Sequence, residues 1–159
     1  MLVAMEGLIM AFWLLLICVV GISNGPVGMV FFYEKDVQDR VVELKLTTPE
    51  KIKKGMVLSG IAMWTADLFV VPLVVYFVNG VDGFLDGFTQ LIVIYMIMNL
   101  FDRLFIDWYW VGHTNTWVIP GTEDLKPYIP GRVVVKKWVS SIVGFAALSA
   151  IASGVMCLF

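Results

Sequence analysis

The residues best equipped for chemistry lie close together between Asn99 and Thr114, in the run NLFDRLFIDWYWVGHT. It holds two carboxylates, a guanidinium, the chain's one histidine and a Trp-Tyr-Trp triplet. At about 100° per residue, a helix gathers Asn99, Asp102, Arg103, Asp107, Trp110, His113 and Thr114 into an arc of roughly 140°. Leu100, Phe101, Leu104, Phe105, Trp108 and Val111 point elsewhere. Arg103 and Asp107, at i and i+4, are placed for a local ion pair.

Three kinds of chemistry suit such a stripe. Asp102, Asp107 and His113, with Glu123 or Asp124 folded back from the next loop, could ligate a divalent cation. Neither HExxH nor DxDxDG is present, however, so the pattern specifies no metal and no cofactor. Alternatively, Arg103 could anchor a phosphate or carboxylate while the aromatic rings hold the apolar remainder of a lipid-like molecule. In the third case Asp102, Arg103 and Asp107 form a structural ion network that locks a loop to the helix ends. His113 sits where a cation is favourable at a helix end, so cap-like electrostatics is expected of it rather than general-base catalysis. Asp67 lies alone in another apolar run, and an ionisable group there is a functional candidate by default. Its depth matches that of Asn99, which predicts an Asp67–Asn99 hydrogen bond. The candidate ligand-binding set is therefore Asp67, Asn99, Asp102, Arg103, Asp107, Trp110, His113, Glu123 and Asp124.

The elements that must position these groups follow from composition and period. Hydrophobic residues make up 60% of the 159 and charged residues only 15%, far from the balance of a water-soluble domain. Several apolar runs approach the twenty or so residues needed to cross a hydrocarbon core of about 30 Å. The expected fold is an all-α integral membrane protein in one membrane domain. It comprises a bundle of four transmembrane helices, at about 3–23, 56–78, 88–109 and 138–158, joined by cytoplasmic connections 34–54 and 114–136. The first run has no basic residue before Lys35 and no small-x-small cleavage site, so it is expected to be a retained span rather than a signal peptide. Ser23-Asn24-Gly25-Pro26 should end it or kink it sharply. Val30, Tyr33, Val37, Val41 and Leu44 then recur at helical spacing among charged residues, predicting an extra interfacial amphipathic helix after span one. Thr48-Pro49-Glu50 supplies a cap, a first-turn proline and an acid at the positive end of the next helix. Pro-Gly pairs at 120–121 and 130–131 give the long third connection definite turns. Ser140, Gly144, Ala146, Ala150 and Gly154 line span four with small residues, a face suited to helix packing and to a homo-oligomer.

Charge sets the expected orientation. Lys35, Arg40, Lys45, Lys51, Lys53 and Lys54 crowd the first connection, and Arg103, Lys126, Arg132, Lys136 and Lys137 the third when it is counted from the end of span three to the entry of span four. The middle turn and both termini have no Lys or Arg. Both long connections are therefore predicted inside and both termini outside a plasma (inner) membrane. A net charge of −2 offers no basic surface for nucleic acid. Cys18 and Cys157 form no CxxC and read as small apolar residues.

Over nine residues, Asn99-Leu100-Phe101-Asp102-Arg103 with Ile106-Asp107 resembles the Asn-x-x-Asp-Arg and later Asp of lipoprotein signal peptidases. The glycine-rich lead-in and the first-span Asp-Gln-x-x-Lys of that family are missing here, and the inferred orientation is opposite. Its aspartyl chemistry is accordingly not carried over. The Arg and Asn-Glu pattern of glutathione-binding four-helix membrane enzymes and the cysteines of quinone reductases are also missing. The favoured expectation is a site at the cytoplasmic interface that binds a lipid or other amphipathic small molecule, with an enzyme acting on that molecule as its extension. The competing expectations are a non-catalytic subunit docking a cytosolic protein through 34–54 and 114–135, and a small oligomeric transporter using Asp67.

Overall fold

A computed structural model describes residues 1–158, in which every regular element is helical and no strand occurs. Four helices are long and apolar enough to cross a membrane: Leu2–Ile22, Pro49–Val78, Phe84–Val111 and Gly131–Met156. The outward side chains of all four are largely apolar, as at Phe77, Leu85 and Val143, so the exterior resembles the interior in chemistry.

Helix α1 (Leu2–Ile22) stops where the sequence loses its apolar run. Gly25, at φ 97°, takes a backbone conformation that a side chain would strain, and 3-10 turns over Pro26–Phe32, kinked at Met29, follow with proline in the first. Tyr33 is extended, and only then does a short helix α2 (Lys35–Glu43) begin. The continuous amphipathic pattern from Pro26 to Leu46 is thus broken into two pieces. The break turns Tyr33 inward while Val37 and Val41 become the buried face of α2.

Helix α3 (Pro49–Thr65) starts at Thr48, whose hydroxyl accepts from the Lys51 N–H at 3.4 Å. It runs on through a wide π turn (Ala66–Val70), one α turn labelled α4 (Val71–Leu73) and a second wide turn (Val74–Val78). Pro72 lies at the centre of that sequence. It has no N–H for the carbonyl four residues earlier, and the i→i+5 bonding on either side accommodates the missing donor. Helix α5 (Phe84–Phe101) likewise passes into a π-helical segment, Asp102–Val111. Helix α6 (Gly131–Met156) completes the chain.

Helix α5 is the central element, packed against both α1 and α6. Its Leu91, Ile94 and Tyr95 are fully buried. Gly7 lets α1 approach so closely that a Cβ there would lie 2.8 Å from the Ile97 Cβ. On the other side Tyr95 stacks on Phe145 of α6, with centroids 5.2 Å apart. At the end holding the 79–83 turn, the Asn79 amide donates to Glu6 at 3.1 Å and to Gln90 at 2.9 Å, tying three helices together. The opposite end carries the long connections and is where the charged stripe emerges.

Candidate functional site

The two long connections fold onto each other and roof that end of the helices. The Tyr33 hydroxyl donates to the Trp117 carbonyl at 2.5 Å, and its ring lies edge-on to Tyr128 at 5.1 Å. Tyr128 in turn shares a hydrogen bond with the Thr122 hydroxyl at 2.8 Å, in a loop core where Trp117, Ile119, Thr122 and Tyr128 are all buried. Burial pushes the Tyr33 phenol well above its ordinary value, so it remains a neutral donor at any ordinary pH. From outside, Arg40 of α2 clamps the loop, bonding the Gly121 carbonyl at 3.2 Å and both Asp124 oxygens at 3.1 and 3.2 Å.

Beneath this roof the charged residues form one connected network. Arg103 pairs with Asp102 at 2.7 Å and with Asp107, one helical turn on. Lys137 of α6 reaches both oxygens of Asp107, at 2.9 and 3.0 Å. The Arg103 Nε donates to the side-chain Oδ1 of Asn99 at 3.5 Å. Formal charges cancel across Asp102, Arg103, Asp107 and Lys137, as a partly dehydrated cluster requires. Arg103 and Asp107 are the most enclosed members, with side chains 12% and 14% exposed.

Three hollows meet at this network, and Arg103 walls all of them. A cavity of about 280 Å³ lies under the roof between Tyr33, Trp117, Tyr128, Met63 and Cys18, with Asp102, Asp107 and Lys137 on its wall. A larger one of about 580 Å³ opens toward the loops, past Trp108, His113, Thr114 and Lys126. The third, about 220 Å³, is a cleft between α3 and α6. Mostly apolar walls with a few convergent charged groups are the usual character of a small-molecule site.

The structure therefore brings Asn99, Asp102, Arg103 and Asp107 together. The other expected residues sit elsewhere. Trp110 packs edge-on against Trp117 at 5.2 Å and supports the roof. His113 borders the 580 Å³ cavity, but its Nδ1 is 2.6 Å from the Trp108 carbonyl, taking up a helix-end acceptor. Thr114 does the same for the Trp110 carbonyl at 2.5 Å. The wide turns of Asp102–Val111 carry these residues off the face that α-helical spacing implies.

Glu123 and Asp124 do not return to the network. Glu123 accepts from the Gly121 N–H at 2.8 Å, closing its own turn, and Asp124 is held by Arg40. Asp67 is 4% exposed and its Oδ1 has no partner among the described residues, so the expected Asp67–Asn99 bond does not form. Tyr95 approaches Asp67 through the backbone instead, donating to its carbonyl at 2.5 Å. Among the described residues no group of three or more His, Cys, Asp or Glu side chains is clustered to hold a metal ion.

Lys137, Tyr33, Trp117 and Tyr128 were not candidates from sequence. A clue to Lys137 existed: it lies at the start of the fourth apolar run, where a cation gains from a carboxylate, and Asp107 sits at the matching end of the third. The pattern placed Tyr33 on the apolar stripe after span one, and Trp117 and Tyr128 fit an aromatic belt at the membrane interface, but nothing local linked the three into a roof.

The Arg40–Asp124 clamp should respond to acid. The hydrogen bond from Arg40 holds the Asp124 carboxyl below its ordinary value of 3.8, and the same pair holds Arg40 in its charged form. A lowered folded-state value means the contribution is complete above the ordinary value and is lost as pH falls through the lowered one. The protection of the 119–125 amides, measured as exchange relative to the intrinsic rate at each pH, should therefore be unchanged from neutrality down to pH 5 or so and fall below about pH 4. The Asp124→Asn chain should be weakly protected throughout. Equal acid sensitivity in Asp124→Asn would put the titrating group elsewhere.

Comparison with protein-family models, with curated proteins and with solved structures gave no match.

Proposed function

We propose that this chain is a multi-pass protein of a plasma (inner) membrane that binds a lipid-like or amphipathic small molecule at the cytoplasmic ends of its helices, with both termini outside. The observation that carries the reading is the position of Arg103, on the shared wall of three hollows whose remaining lining is largely apolar and aromatic. A purely structural ion pair needs no such space beside it. A polar head could meet the charged network while its apolar remainder lies against Leu14, Met63 and Ile106. The orientation rests on the lysines and arginines of the two long connections and on their absence from the 79–83 turn.

Gentle native mass spectrometry of the protein released from membranes tests this directly. The expected result is a retained small amphiphile on the native chain and its loss from Arg103→Ala, while both run as folded species of the same size. A bare native chain, or retention unchanged by Arg103→Ala, would sink the pocket reading.

A further inference from the structure

The 220 Å³ cleft is bounded on one side by Met63 and Trp64 of α3 and on the other by Ser140, Ser141, Gly144 and Phe145 of α6, with Asn99, Asp102 and Arg103 at its floor. These two helices take their main tertiary contacts elsewhere, α3 against Pro26–Phe32 and α6 against α5. Further along, the α4 turn does touch α6. The pair is thus joined at one end and separated at the end holding the charges. The cleft's rim is exposed: Trp64 is 54% exposed, and a Cβ built on Gly144 meets nothing within 4 Å. Both helices belong to apolar, membrane-length segments. Anything entering between them would come from the side rather than from the loops.

The chemistry at the floor distinguishes among ligands. Arg103 and Lys137 spend only part of their donor capacity on Asp102, Asp107 and Asn99. The indole N–H of Trp117, in a residue only 3% exposed that lines the adjoining 280 Å³ cavity, has no partner among the described residues. Unpartnered buried donors are costly unless an acceptor arrives. Both oxygens of Asp107 are already taken. Asp102 meets Arg103 through one oxygen only, but the buried group left without a partner at the cavity is a donor, the Trp117 N–H. With the spare N–H groups of Arg103 and Lys137 it suits a head group rich in acceptor oxygens.

Resting on the pocket reading above, we infer that the α3–α6 cleft is a lateral portal through which a phosphate-headed lipid of the surrounding leaflet reaches the Arg103–Lys137 site. Its head meets Arg103, Lys137 and Trp117, and its chain lies in the cleft against Met63 and Gly144. The source is the bilayer and not the aqueous side.

The test uses the full chain in phosphatidylcholine nanodiscs, titrated with dodecyl phosphate, inorganic phosphate or dodecyltrimethylammonium and read by native mass spectrometry. Dodecyl phosphate should bind the native chain at least about a hundredfold more tightly than inorganic phosphate, because the chain's burial adds to the head's contacts. Dodecyltrimethylammonium should not bind. Gly144→Phe, whose ring enters open space and fills the cleft, should weaken dodecyl phosphate about tenfold or more, with Gly144→Ala unaffected. Ser141→Leu, on the same wall, serves as a second plug should Gly144→Phe fail to fold. Dodecyl phosphate binding that neither plug weakens overturns the portal and leaves the pocket standing. Equal binding of inorganic phosphate overturns the bilayer source, and preference for the cationic amphiphile overturns the head-group assignment. If none of the three probes binds, the pocket reading itself fails.

Discussion

Asp107→Ala should destabilise the protein by about 3 kcal/mol, the low end of the cost of breaking a buried ion pair from one side. Among the described residues Asp107 is the only carboxylate shared by two cations: Arg103 from its own segment and Lys137 from α6. Removing it leaves a guanidinium and an ammonium facing each other in a partly dehydrated space, with only Asp102 to oppose them. Lys137 keeps a side chain 32% exposed, and the water reaching it is why the low end applies. Removing Lys137 as well should recover part of the loss, so the double variant Asp107→Ala/Lys137→Met should be more stable than Asp107→Ala alone. Denaturation followed by tryptophan fluorescence in a fixed mixed-micelle series would give the comparison, with the exposed Glu43→Ala as reference. The network has no structural role if Asp107→Ala melts together with Glu43→Ala.

Gly7→Leu should be comparably damaging for a steric reason. The Gly7 Cβ position is 2.8 Å from the Ile97 Cβ and 2.9 Å from its Cδ1. The nearest obstacle is therefore an atom fixed to the α5 backbone, and rotation of Ile97 cannot clear it. In the membrane setting proposed above, lipid competes for apolar surface as well as protein does, so helix association depends on close van der Waals contact. Forcing α1 away from α5 forfeits that contact along the most extensive interface in the molecule. Overpacking costs about 1–3 kcal/mol, and this site belongs at the upper end. Gly60 makes the contrast. A Cβ there meets only Trp64, at 3.9 Å, so Gly60→Ala should be neutral or stabilising by up to about 1 kcal/mol. The same denaturation series checks both, and a Gly7→Leu chain as stable as Gly60→Ala would show that the α1–α5 approach has slack.

What could be read from the sequence alone was what depends on neighbours a few residues away. Apolar runs of membrane length predicted the four long helices, and Thr48-Pro49 predicted where α3 begins, because capping and proline chemistry act within one turn. Ser23 to Pro26 marked the end of α1 for the same reason. Arg103 and Asp107 were legible as partners since their spacing alone brings them together on a helix. Helical periodicity already failed at Asp102–Val111, where wide turns change the residue-to-face mapping and send Trp110 and His113 to separate tasks.

The tertiary structure decided everything that joins distant parts of the chain. Lys137 completes the network across 30 residues of sequence, and Tyr33 seats the roof by bonding the carbonyl of Trp117, 84 residues away. Glu123 and Asp124 had the right charge to join the site, but the Gly121 turn and Arg40 claim them first. Local pattern records only the alternatives a side chain has within a turn or two. Which distant partner wins depends on how closely helices approach, as Gly7 permits at Ile97, and on where they part, as α3 and α6 do beside Arg103.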